Sequence, residues 1–132
     1  SMINETPATA ASDRQQWHTM TLVQKPSPNG IVARAKVDKG SPWFSGHFPG
    51  EPILPGIAQL KMVLEAIQRA ERKDLKISGI KKTRFKRIIE PEDEIEIHAG
   101  PVKDNALSYS FRIMVRDELA CSGILLTESI NA

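Results

Sequence analysis

The stretch GHFPGEPILPGIAQLKMVLEA, residues 46–66, decides how the rest of the chain is read. Its first half interleaves prolines that fix φ (Pro49, Pro52, Pro55) with glycines that allow tight bends and close approach of another group (Gly46, Gly50, Gly56). Its second half is apolar at Ile57, Leu60, Met62, Val63, Leu64 and Ala66, and the pattern runs on through Ile67 and Ala70. Apolar residues over most of the circumference predict an enclosed helix from Gly56 to about Arg72. The polar residues Lys61, Glu65, Gln68, Arg69 and Arg72 form one stripe along it. A helix starting at Gly56 presents unpaired N–H groups and a positive dipole end, which stabilise an oxygen gaining negative charge. His47 lies nine residues upstream on the pinned loop. A base beside such a site is the arrangement that proton removal next to a carbonyl requires. The alternative for a single histidine in a Pro/Gly loop is a surface or packing role, and spacing alone does not choose between them.

On both sides of the helix the hydrophobic period is two. Trp17 to Gln24, the turn residues KPSPNG, and the alternation Ile31, Ala33, Ala35, Val37 read as a hairpin. Residues 39–55 are a loop of fixed course. After the helix come a long extended run, Ile77 to Ile89, an alternating segment, Glu94 to His98, and a strand with Leu107, Tyr109, Phe111, Ile113 and Val115 on one face. Asp117-Glu118 turns the chain into a last strand, Leu119 to Thr127. About six strands, two before the single helix and four after it, joined by hairpin-length connections, predict an α+β fold: an antiparallel sheet wrapped around one central helix. Residues 17–132 read as one domain, and 1–16 as a disordered tail with a cloning remnant at Ser1-Met2.

Composition narrows the function classes. Of 132 residues 40% are hydrophobic and 26% charged, as in ordinary globular domains, and the net charge of +2 does not by itself imply a polyanion partner. Aromatic residues at 5% argue against a stacking platform for single-stranded nucleic acid. Cys121 is the only cysteine, so no intrachain disulfide forms, and no His, Asp or Glu cluster has ligand-like spacing; no metal site is expected. No window approaches the roughly 18 apolar residues of a membrane span, and a reducing, cytoplasmic setting is expected. His18 and His98 lie on strands with no partner in view and read as structural.

The run GHFPGEPILPG ahead of an apolar helix resembles the signature of the 3-hydroxyacyl-[acyl-carrier-protein] dehydratases of bacterial fatty-acid synthesis, the FabZ/FabA-like family with the hotdog fold. A second segment, RFKRIIEPED at residues 84–93, is similar to that family's strand-and-turn motif, with Glu92 where glycine is usual. The order of strands and helix matches too, so the resemblance covers about residues 17–128.

The resemblance implies a homodimer, open to higher assembly, with sites at the protomer interface. It implies a substrate hung from the phosphopantetheine of acyl carrier protein or coenzyme A, with no other cofactor and no nucleic acid. His47 matches the histidine that exchanges the C2 proton, and Gly56 the glycine whose N–H polarises the thioester carbonyl. Phe48, Pro49, Pro55 and Ile57 flank them as substrate-binding candidates. The family's helix Glu or Asp, given by the other protomer to handle the β-hydroxyl, corresponds to Lys61. Three readings follow: Lys61 donates the proton itself; Glu65, one turn on, reaches the site; or Lys61 pairs with Glu65 at i,i+4 and the pocket only binds an acyl thioester. Hotdog thioesterases, which use a helix carboxylate, are a further alternative through Glu65. The basic run Lys81, Lys82, Arg84, Lys86 and Arg87 is either a solvated strand face or a docking patch for an acidic carrier protein.

Overall fold

A computed structural model describes residues 17–44 and 53–130 of the chain. Its element order is β1 (Thr19–Ser27), β2 (Gly30–Lys36), a short 3-10 turn (Pro42–Phe44), helix α1 (Gly56–Glu71), β3 (Leu75–Phe85), β4 (Ile95–Val102), β5 (Asn105–Val115) and β6 (Glu118–Ser129). The six described strands form one sheet in the order β1-β2-β4-β5-β6-β3, every neighbouring pair antiparallel. Strands in a sheet lie about 4.8 Å apart, so a flat sheet of this size would hold β1 and β3 roughly 24 Å from each other. Helix α1, only about 10–12 Å across, nevertheless packs against β1, β2, β3 and β4. The sheet therefore curls around the helix, as the sequence led us to expect. Among the described residues no helix is long and apolar enough to cross a membrane.

Period-two patterning fills the inner face. Ile31, Ala33 and Ala35 of β2, Ile95, Ile97 and Ala99 of β4, and Tyr109, Phe111, Ile113 and Val115 of β5 are buried against Ala58, Leu60, Met62, Val63, Ala66 and Ile67 of α1. Two expected core positions lie outside it: Ile57 at the helix start and Leu107 near the start of β5 are exposed.

The element ends differ from the sequence reading for local reasons. Lys25 to Ser27 remain in β1, so the first turn is confined to Pro28-Asn29. The β5–β6 turn is Arg116-Asp117, one residue earlier than expected, with φ of 50° and 65°; both central residues in the left-handed region make the tight hairpin turn that suits twisted strands. The run from Ile77 to Ile89 is not one strand. β3 bulges at Lys82, φ 52°, and ends at Phe85, after which Lys86 and Arg87 N–H both donate to the Ala120 carbonyl. The chain then leaves the ladder and the Ile89 carbonyl accepts the Leu54 N–H at 2.9 Å, so 53–55 and 88–89 are held side by side ahead of the helix.

Candidate active site at the start of the helix

Pro55 stands at the N-cap with extended backbone, φ −64° and ψ 153°, and the Ala58 and Gln59 N–H groups both donate to its carbonyl. Gly56 and Ile57 follow as the first helical residues. Their N–H groups have no partner among the described residues, as the geometry of a helix start dictates. Phe85, the last residue of β3, lies against this end: a Cβ at position 56 would fall 2.7 Å from the tip of its ring. Glycine is thus what lets the aromatic ring close on the helix start.

These segments enclose a cleft of about 430 Å³ lined by Ile53, Leu54, Pro55, Gly56, Gln59, Phe85, Lys86, Arg87 and Ile88. Its surroundings are apolar and open, with Ile57, Phe85 and Ile88 51%, 54% and 55% exposed. Two N–H groups at the positive end of a 16-residue helix, beside an apolar cleft, suit a ligand with one polarisable oxygen and a hydrocarbon body. Of the expected site residues, Gly56, Pro55 and Ile57 are brought together here. His47, Phe48 and Pro49 lie outside the described residues.

Lys61 and Glu65 do not pair with each other. The exposed Lys61 amine sits 5.5 Å from the centroid of the Trp43 ring, a cation–π arrangement. Glu65 instead accepts from His18 Nε2 at 2.6 Å and from the Arg69 guanidinium at 2.6 Å. Burial raises the Glu65 pKa, but the His18 hydrogen bond and the charges of His18 and Arg69 outweigh it and hold the carboxyl below the ordinary glutamate value. The reading of His18 and His98 as partnerless is corrected: His98 Nε2 lies 2.8 Å from Glu96, and His18, its side chain 3% exposed, ties β1 to the helix through Glu65.

The basic residues divide. Lys81, Lys82, Arg84 and Lys86 are exposed along β3 and just beyond it, while Arg87 is half-buried and ion-paired with Glu118. Sequence reasoning overlooked Gln59, a residue 4% exposed on the buried face of α1. The available signal was a polar residue in an otherwise apolar stretch.

A profile of the ApeI-like family, described as ApeI dehydratase, matches residues 23–124. The chain belongs to the ApeI-like dehydratase family. It is similar to the 3-hydroxyacyl-[acyl-carrier-protein] dehydratase FabZ of Rickettsia typhi, 33% identical over 109 residues that span 74% of this chain and 75% of that protein. The resemblance read from the two motifs therefore holds. In fold, the family member described here is similar to the dehydratase heterocomplex ApeI:P from Xenorhabdus doucetiae, with a TM-score of 0.73, 23% identity, and coverage of 83% of this chain and 96% of that one. It is also similar to a hypothetical thioesterase from Streptococcus pneumoniae, with a TM-score of 0.63, 11% identity, and coverage of 85% and 91%. The architecture is the hotdog fold, and the protein is dehydratase-like.

Proposed function

We propose that this chain removes water from a (3R)-3-hydroxyacyl thioester to give the trans-2-enoyl thioester, the acyl group being carried on the phosphopantetheine of acyl carrier protein or coenzyme A. The observation that carries the reading is the helix start: the Gly56 and Ile57 N–H groups, without partners among the described residues, beside an apolar cleft. The thioester carbonyl seats on Gly56 N–H, which takes up the charge that develops as the C2 proton leaves. His47 is the base for that proton. Lys61, reaching in from the other protomer, is the donor that lets the hydroxyl leave as water, because Glu65 is committed to His18 and Arg69. Phe48, Pro49, Pro55 and Ile57 border the acyl thioester. No cofactor beyond the carrier is required, and the setting is the cytoplasm.

A homodimer fits the same surface. The outer edge of β3 is unpaired among the described residues, and Ile57, Ile80, Phe85 and Ile88 expose apolar area around it. Isologous pairing across that edge would cover both. Lys81, Lys82, Arg84 and Lys86, with Arg87 in part, would steer an acidic carrier toward the cleft.

One observation favours a second reading, an acyl-thioester binder inert by itself: neither Lys61 nor Glu65 offers a free carboxylate. A second chain of the same fold could then supply the missing group, as two chains associate in the ApeI:P heterocomplex. The deciding experiment incubates the purified protein with 3-hydroxyacyl and trans-2-enoyl thioesters and follows interconversion and thiol release together. Interconversion that His47→Ala abolishes is the expected result. No turnover above that variant would leave the binder reading, and thiol release alone would indicate a thioesterase.

A further inference from the structure

We propose that Gln59 is the residue that reads the 3-hydroxyl of the bound acyl group, its side-chain oxygen accepting the hydroxyl hydrogen. The inference rests on the dehydratase reading of the cleft and names a specificity group within it. Among the described residues of α1, Gln59 is the one polar side chain that is buried. Its Nε2 donates to the Leu54 carbonyl at 3.3 Å, which fixes the way the amide faces. Its Oε1 is buried with no partner among the described residues. A buried carbonyl oxygen without a donor is unfavourable, and native structures retain few of them without a reason. Leu54, Gly56 and Gln59 all line the same cleft, so the residue that carries the unpaired acceptor stands in the wall of the cavity where the acyl thioester would sit.

The spacing selects the hydroxyl. Gly56 and Gln59 are three residues apart on one helix face, about 5–6 Å between neighbouring positions. A 3-hydroxyacyl thioester carries its hydroxyl two carbons from the carbonyl carbon, so a carbonyl on Gly56 N–H places the hydroxyl toward Gln59. Because the amide N–H₂ is turned to Leu54, position 59 presents an acceptor. A 3-hydroxyl donates to it, a saturated chain offers nothing, and a 3-oxo group sets oxygen against oxygen. The cleft would thereby separate the 3-hydroxyacyl thioester from its reduced and oxidised analogues before chemistry begins.

The test measures binding to hexanoyl, (3R)-3-hydroxyhexanoyl and 3-oxohexanoyl pantetheine in a full-length His47→Ala background, so that nothing is turned over, and again with Gln59→Leu or Gln59→Met added. The 3-hydroxy ligand is expected to bind roughly 2- to 12-fold tighter than the saturated one, the span of one neutral hydrogen bond, and the 3-oxo ligand more weakly than either. Both added substitutions should erase that order while keeping the affinity for the hexanoyl ligand. If the Leu variant does not fold, the more isosteric Met variant and the parental comparison decide. Equal affinities in the parent, or an order that survives substitution, would overturn the role of Gln59 and leave the acyl-thioester reading standing. Equal weakening of all three ligands by substitution would assign Oε1 to the pantetheine arm and also overturn it. Failure of every ligand to bind would remove both.

Discussion

Replacing Glu65 by alanine separates an anchor from a catalytic acid. In the native protein the carboxylate holds His18, whose side chain is 3% exposed, and the half-exposed Arg69. Removing it strands a buried ring nitrogen of His18, at about 1–3 kcal/mol, and loses an exposed i,i+4 ion pair worth about 0.3–0.5 kcal/mol. The good helix propensity of alanine returns a few tenths of a kcal/mol. The net loss is about 2 kcal/mol, and at roughly 4 °C per kcal/mol for a domain of this size Tm should fall by about 8 °C. The pH dependence has a definite sign. The folded-state pKa of Glu65 is lowered, so its contribution is complete above the unfolded glutamate value of about 4.3 and is lost as pH falls through the lower folded value. The gap in Tm between wild type and variant should therefore be widest near neutrality and narrow under acid. Thermal denaturation followed by circular dichroism across that range checks both statements. Turnover, measured well below Tm, should change by no more than a few-fold. An unchanged Tm with a loss of turnover of a hundredfold or more, the effect of losing a general acid, would refute the anchor reasoning and return Glu65 to the chemistry.

Two further substitutions probe the cleft. Gly56→Ala keeps the N–H but puts a methyl 2.7 Å from the Phe85 ring; the half-exposed ring swings aside, so stability should change by less than about 1 kcal/mol, while turnover falls about 10- to 100-fold from misplacement of the carbonyl site. Turnover at the wild-type level would show that the ring contact is irrelevant. Lys61→Glu places a carboxylate where the dehydratase motif has one, on an exposed position whose substitution should move stability by no more than about 0.5 kcal/mol. The interconversion assay should register a gain, and a folded, ligand-binding but inert variant would locate the deficit elsewhere in the cleft.

The fold was legible because its signals are local. Period-two alternation at Ile31, Ala33, Ala35 and at Tyr109, Phe111, Ile113 marked the inner face, and Pro55-Gly56 marked the helix start. The second motif carried a backbone fact as well. Glu92 has a φ of 68°, in the left-handed region, which explains why glycine is usual there, and here the glutamate gains a hydrogen bond from the Lys39 N–H at 3.0 Å. What stayed hidden depends on residues distant in the chain. His18 meets Glu65 across 47 positions, and no spacing rule within the helix could have preferred it over Lys61. The end of β3 depends on the Ala120 carbonyl, from another strand, taking both the Lys86 and Arg87 N–H groups. Ile57 continues the apolar period of the helix yet is half-exposed while its neighbour Ala58 is fully buried, and a helical pattern alone does not show which apolar position of the first turn is left uncovered.

The most direct measurement of the proposed chemistry is turnover of a trans-2-enoyl thioester in heavy-oxygen water, read by mass spectrometry of the intact product. Reversible dehydration predicts a 3-hydroxyacyl thioester carrying the label on C3, formed by the wild type and not by His47→Ala. Label found in a free carboxylate, or an unchanged enoyl thioester, would contradict it.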